Sequence, residues 1–240
     1  MNTHIARPRK VCPLVLSALA IVAAQPAPAA SAGSTYSASA RIRPYLIASR
    51  QQEIALARSA APPSISMHAT VLVLGMHGYV TAVKGSNGFV CLDSRSWDAA
   101  VTVKSARFWN PKFRIAKCFN AAAAQSVLPP YLMRTQWVLG GASKEEIGDR
   151  DKAAWYAGKL EEPAPGAVCY MMSKQSWGVG GSPGPWRPHL MFYFTGGDAP
   201  DWGANLPDAP VVSSAVTQNL AVLVVLVPDW SDGSPAPSFK

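Results

Sequence analysis

The chain is poor in histidine and cysteine, with four of each among its 240 residues. No two histidines have the i, i+4 spacing that places a pair of zinc ligands on one helix face. The string "DWSDG" at residues 229–233 resembles the start of a calcium loop, but it lacks the third oxygen ligand and the distant glutamate. The sequence therefore predicts no metal ion and no cofactor.

The chain also lacks an apolar run of membrane-spanning length, which would need roughly 20 residues. The run at residues 11–24 is interrupted by Pro13, and the run at residues 220–227 has only the length of a strand. The first run follows three basic residues and precedes small ones, which is the pattern of a cleavable secretory signal over residues 1–32. We therefore expect an exported protein, secreted or periplasmic, with no transmembrane anchor after signal cleavage.

Acidic residues are fewer than basic ones, 14 against 22, and the two signs are unevenly distributed. Residues 99–144 contain seven basic residues and no acidic one, whereas residues 188–239 contain five aspartates and no lysine or arginine. Because an exported protein rarely meets nucleic acid, we expect no nucleic-acid partner. An anionic envelope polymer, a lipid head group or the acidic half of the chain itself fits the basic segment better. For the protein as a whole, the expected partner is an unknown small ligand or an envelope component.

Cysteines 91, 118 and 169 follow the predicted leader, and their odd number allows at most one internal disulfide. Three pairings are possible. We favour Cys91 with Cys118, since closing a loop of that length stabilises a fold by about 3–4 kcal/mol. Cys169 is then the free thiol, and its apolar neighbours predict a buried strand in which it is an inert small hydrophobe.

Capping patterns and short β-rich runs set the expected fold. Ser49 with Gln52, Asn120, and Ser143 with Glu146 each predict the start of a helix. The runs "ATVLVL", "YVTAVK" and "FVCLDS" predict an antiparallel meander, and further strands are expected at residues 167–173, 189–195, 211–214 and 220–227.

Strands, then helices, then strands predict a single α+β domain. Its sheet should be mostly antiparallel, with about five to seven strands and helices packed on it. We place the domain at residues 49–232, between a flexible N-terminal segment at 33–48 and a C-terminal tail at 233–240.

Residues 169–194, "CYMMSKQSWGVGGSPGPWRPHLMFYF", bring a thiol, a histidine and a Gly-x-Ser-x-Gly string close together in sequence. Its Gly-x-Ser-x-Gly string matches a nucleophile elbow, but Pro183 has no N–H for an oxyanion hole and Pro185 blocks the helix that should follow. A simple hairpin would place Cys169 and His189 about five residues apart along the ladder, or roughly 16 Å, which is too far for a catalytic dyad. A hydrolase using His189 with an aspartate or with Cys169 is kept as an alternative.

Tryptophans on loops point to binding instead. An indole ring can stack on a sugar or another flat ligand and donate a hydrogen bond from its edge, although it can equally cover the end of a small core. The sequence therefore favours a non-enzymatic ligand- or partner-binding module over an enzyme. The predicted ligand-binding residues are Trp177, Trp186, His189 and Trp202.

The basic loop at residues 104–117 supports a third hypothesis, an interaction protein that binds an anionic polymer. Lys112, Arg114 and Lys117 would form the anion-binding patch. The alternative is a disulfide-pinned loop whose aromatic residues fold inward.

Five segments, "EIALARSAAPPS", "NGFVCL", "CYMMSKQ", "PHLMF" and "WGANLP", resemble those of a family of exported bacterial proteins of unknown function. The resemblance extends over residues 49–233. It implies a bacterial envelope or secreted setting, and it carries over no activity and no functional residues.

Overall fold

A computed structural model describes residues 42–98, 108–177, 187–196, 203–204, 206–217 and 220–237. The predicted signal segment, most of the segment at 33–48, and two of the predicted ligand-binding residues, Trp186 and Trp202, lie outside these ranges. All the described residues belong to one compact unit.

The predicted α+β class is confirmed. Within the described residues, eight strands form one sheet in the order β2-β1-β3-β4-β5-β6-β8-β7, and every neighbouring pair is antiparallel except β1 with β3. The strands are β1 Thr70–Gly75, β2 Gly78–Val83, β3 Val90–Ser94, β4 Ile115–Phe119, β5 Val168–Met171, β6 His189–Thr195, β7 Val211–Thr217 and β8 Leu220–Leu226.

Sequence analysis missed β4, which is a central strand with all five residues buried. It was assigned to the polar, basic loop because it contains Lys117 and follows Arg114. The sheet accordingly has one strand more than the predicted maximum of seven.

The predicted meander of the first three strands is wrong in its last step, because β3 pairs with β1 in parallel rather than with β2. The connection from β2 crosses the beginning of β1, where the Gly85 amide donates to Thr70 Oγ1 at 3.0 Å. A Cβ at Gly85 would lie 2.2 Å from the Thr70 nitrogen, so the crossing requires a residue without a side chain.

The predicted helix starts are confirmed, and they begin helices α1 Arg50–Arg58, α3 Ala121–Ser126 and α5 Lys144–Tyr156. Ser143 and Glu146 form the reciprocal capping box. The described residues contain two further α-helices, α2 Pro63–Ser66 and α4 Pro129–Leu139. Pro129, expected only to stop α3, occupies the first turn of α4, a position that tolerates proline because its missing N–H would have no partner there.

Side chains alternate along each strand and so give the sheet two different faces. The α1 face packs Val71, Cys91, Ala116 and Cys118 against α1. The α4 face packs Leu92, Phe119, Cys169 and Tyr193 together with residues of α3 and α4. Among the described residues, no helix is long and apolar enough to cross a membrane.

Candidate functional site

The disulfide between Cys91 and Cys118 is confirmed. The two residues lie directly opposite each other on β3 and β4, on the α1 face of the sheet. A structural disulfide indicates an oxidising compartment, because cytosolic thiols are kept reduced.

Among the described residues, Cys169 is the free cysteine, and it is fully buried on the α4 face, as predicted. Burial raises the pKa of its thiol to about 12, against the opposing effect of the nearby Lys117 ammonium. The thiolate that a nucleophile requires is therefore scarce at neutral pH.

The separation predicted between Cys169 and His189 is wrong, although β5 and β6 are antiparallel neighbours as expected. Cys169 is opposite Met191 and His189 is opposite Met171, so the thiol and the imidazole are two residues apart along the ladder and share a face. The register differs because the chain leaves β5 early, where the Met172 amide donates to the Ala60 carbonyl at 2.9 Å. Distance along the sheet therefore does not argue against a dyad, whereas burial of the thiol does.

His189 begins β6 with a half-buried side chain. Its Nδ1 lies 2.7 Å from the carbonyl oxygen of Arg187. Because a carbonyl can only accept, Nδ1 carries the proton and Nε2 carries the lone pair of the neutral ring. Burial lowers the pKa of His189, and the nearby Lys117 charge lowers it further. The hydrogen bond to the Arg187 carbonyl has the opposite effect but is outweighed.

Lys117 is a buried cation on the α4 face. Its Nζ donates to the Tyr131 hydroxyl at 3.0 Å and lies 4.7 Å from the centre of that ring. Burial alone would lower the pKa of Lys117. The interactions with Tyr131 and Cys169 outweigh burial, so the pKa is raised. Among the described residues, no carboxylate forms a salt bridge with Lys117.

Trp177, a predicted ligand-binding residue, is half-buried and held by its backbone. It forms an isolated bridge with Arg114, with N–H···O distances of 2.7 and 2.5 Å in the two directions. Bridged residues share a face, and Arg114 is on the α1 side with Asp93, whereas His189 is on the α4 face. The structure therefore holds Trp177 and His189 on opposite sides of the sheet.

The predicted anion-binding residues do not form a common patch. Lys112 is exposed. Arg114 is occupied by the Tyr45 carbonyl at 2.8 Å and by Asp93, and burial lowers its pKa to about 10. Lys117 is buried on the opposite face. The alternative prediction for this loop, inward-folded aromatics, is confirmed for Phe108, Trp109, Phe113 and Phe119.

Sequence analysis missed a buried ionic network on the α1 face. Arg95 has no exposed side-chain area, and it bonds Glu53 of α1 at 2.8 Å and Asp93 of β3 at 2.7 Å. Asp93 also lies 3.5 Å from Arg114, while its Oδ1 is buried without a hydrogen-bond partner among the described residues. Burial raises the pKa of Asp93 to about 7 against the attraction of both arginines.

A second buried carboxylate, Asp98, extends this network. It accepts hydrogen bonds from the Tyr79 hydroxyl at 2.7 Å and the Thr135 hydroxyl at 2.9 Å. The only sequence signal for the network was the string "DSRSWD" at residues 93–98, which places three charges at the end of a strand.

Comparison of the chain with protein-family models, curated proteins and solved structures gave no match.

Proposed function

We propose that this protein is an exported, non-enzymatic binding module of the bacterial envelope, and that it binds a sugar-containing envelope component through Trp177 and the loop that follows it. The signal pattern at residues 1–32 supports export, as does a disulfide of the kind that persists in oxidising compartments.

The observation that carries the proposal is that the backbone is fixed by hydrogen bonds at Trp177 and at Pro188, on either side of residues 178–186. Trp177 is fixed to Arg114 by two backbone hydrogen bonds. At the other end, the Pro188 carbonyl accepts from the Val227 amide at 3.0 Å, and β6 begins at the next residue. A tryptophan whose backbone is already fixed loses less entropy when its ring stacks against a ligand, so more of the contact energy is available for binding.

The same region is poorly suited to nucleophilic catalysis. The thiol of Cys169 is buried, with its pKa raised to about 12 by burial. A nucleophile needs a base in reach and access to substrate, and the described residues give this thiol no access to solvent.

Co-sedimentation with purified peptidoglycan sacculi tests the proposal. We expect the wild-type chain to pellet with the sacculi, Trp177→Ala to lose most of the binding, and Trp177→Phe to keep part of it because the ring can still stack. The matched control is Trp155→Ala, which removes another half-buried tryptophan from the distant helix α5.

Equal pelleting of Trp177→Ala and the wild type, with both variants folded by circular dichroism, would overturn the proposal. So would binding that disappears in 0.5 M salt and is abolished by Lys112→Ala, since that result would assign the interaction to the exposed cation.

A further inference from the structure

The two edges of the sheet differ in how they are protected. Among the described residues, the edge strands β2 and β7 each pair with one neighbour only. At β2, the Thr81 carbonyl accepts from Arg50 Nη2 at 3.4 Å, and the exposed Lys84 directly follows the strand. Charged side chains of this kind keep an edge strand from pairing with another chain. The seven residues of β7, "VVSSAVT", include no charged residue and no proline.

The backbone groups of β7 alternate between those that bond β8 and those that face away from it. The Leu226 amide donates to the Pro210 carbonyl at 2.8 Å, so these two residues are a hydrogen-bonded pair. Such pairs alternate with non-hydrogen-bonded pairs along an antiparallel ladder, and Val211, Ser213 and Ala215 therefore belong to the second kind. Their N–H and C=O groups point toward the open edge.

Bonding on the other side of β8 agrees with this assignment. The Val227 amide donates to the Pro188 carbonyl at 3.0 Å, so odd-numbered residues bond toward β6 and even-numbered residues of β8 bond toward β7. The open edge of β7 accordingly carries a row of backbone donors and acceptors at alternate residues. An extended strand is the partner that such a row fits.

A second copy of β7 is complementary to this edge. The irregularity between Ala215 and Thr217 limits the regular ladder to residues 211–215, with Ser213 at its centre. A two-fold axis at Ser213 would run the two strands antiparallel and pair all the outward residues, Val211 with Ala215 of the copy and Ser213 with its own copy. Because β7 has no charge, this pairing brings no like charges together.

We propose that the protein forms a two-fold symmetric dimer in which the β7 strands of two copies pair antiparallel about Ser213, so that the two sheets become continuous. The inference is independent of the proposed glycan binding, because Trp177 is bridged to Arg114 beside β4 and the dimer interface is at β7.

Sedimentation equilibrium of the purified chain over a range of concentrations tests the dimer. We expect a monomer–dimer equilibrium for the wild type. Ser213→Pro removes an outward N–H but leaves the bonds to β8 in place, and two-fold symmetry doubles the loss. The dissociation constant should therefore rise by at least about tenfold. The matched control is Ser213→Ala, which keeps the N–H and should dimerise like the wild type.

Charge substitutions at the axis give a second test that does not depend on proline. Ser213→Asp and Ser213→Lys should each be monomeric, because two like charges would lie directly opposite each other. An equimolar mixture of the two variants should form a heterodimer, and added salt should weaken it. A strand that was merely destabilised would not be rescued by mixing.

The proposal is overturned if the wild type stays monomeric up to submillimolar concentration, even if its edge then binds an unrelated extended peptide. It is also overturned if Ser213→Pro dimerises like the wild type while circular dichroism shows a folded chain. Failure of the two charged variants to associate when mixed, although each is folded, would contradict it as well.

Discussion

The two faces of the sheet bury charge in different ways. On the α1 face, Arg95 is enclosed between Glu53 and Asp93, so a cation and two carboxylates compensate one another without solvent. On the α4 face, Lys117 is equally buried, but its described contacts are a hydroxyl and an aromatic ring of Tyr131. The α1 face also carries the disulfide, whereas the α4 face carries the free thiol.

This difference separates a buried charge that has charged partners from a buried charge that has none among the described residues. A buried charge with charged partners cannot be removed without leaving those partners unpaired, so the α1 network fixes α1 and the loops to the sheet. On the α4 face, Lys117 forms no salt bridge with a carboxylate of the described residues. Its removal should therefore cost less stability than removal of Arg95.

The largest expected effect is from Arg95→Met, which would leave Glu53 buried without its cation and Asp93 with only Arg114, 3.5 Å away. Breaking a buried ion pair in this way typically costs about 3–5 kcal/mol, so the free energy of unfolding from urea denaturation should fall by that amount. The control Lys152→Met removes an exposed cation that lies 3.9 Å from Asp149, three residues earlier on α5, and the urea midpoint should not change. Equal midpoints for the two variants would contradict a structural role for the network.

Replacing Cys91 and Cys118 together by alanine should have the next largest effect. The bridge joins residues 27 positions apart, a loop for which chain entropy gives about 3–4 kcal/mol of stabilisation. Urea denaturation of the double variant measures this loss. Cys169→Ala serves as the comparison. If it lowers the free energy of unfolding more than the double variant does, the α1 face does not contribute the larger share of stability.

A smaller effect is expected in the pH dependence of stability. The pKa of Asp93 is about 7 in the folded chain, because of burial, and about 3.9 in an unfolded one. Between pH 4 and 7 the folded state therefore holds a proton that the unfolded state has released, and Asp93 makes stability fall as pH rises through this window. His189, whose pKa burial lowers, contributes with the opposite sign.

Urea midpoints of the wild type and Asp93→Asn, measured from pH 4 to 8, isolate this contribution. The stability of the wild type relative to the variant should decline up to about pH 7 and then level off. A difference that is constant over the whole range would show that Asp93 stays ionised.

The smallest effect should follow Lys117→Met. Because no carboxylate of the described residues pairs with Lys117, its removal leaves no unpaired charge, and a buried methionine fills a similar volume. We expect the free energy of unfolding to change by at most about 1 kcal/mol, the value of the lost hydrogen bond to Tyr131. A loss as large as that of Arg95→Met would remove the contrast between the faces.

Local signals predicted much of this fold. Ser49, Asn120 and Ser143 cap the helices they were expected to cap, since a cap depends on residues only a few positions apart. Pairing of Cys91 with Cys118 was also predictable, because it closes a loop of favourable length. Neither inference requires knowledge of the strand order or register of the sheet.

Features that depend on strand register could not be predicted. From the sequence alone, a lysine such as Lys117 is expected to face solvent. Its burial is explained only by Tyr131 of α4, whose hydroxyl accepts a hydrogen bond from the Lys117 ammonium. The grouping of Met171 with His189 likewise follows from the early exit of the chain at Met172, which is set by a hydrogen bond to Ala60. Such contacts lie far apart in sequence, and no local pattern specifies them.

Thiol labelling of the native chain tests the central claim most directly, namely that Cys169 is a sealed residue of a binding protein and not a catalytic nucleophile. With iodoacetamide at pH 7.5, we predict that Cys169 remains unmodified over hours and reacts with one equivalent once urea unfolds the chain, as mass spectrometry would record. Stoichiometric modification of Cys169 in the folded protein within minutes would contradict the account.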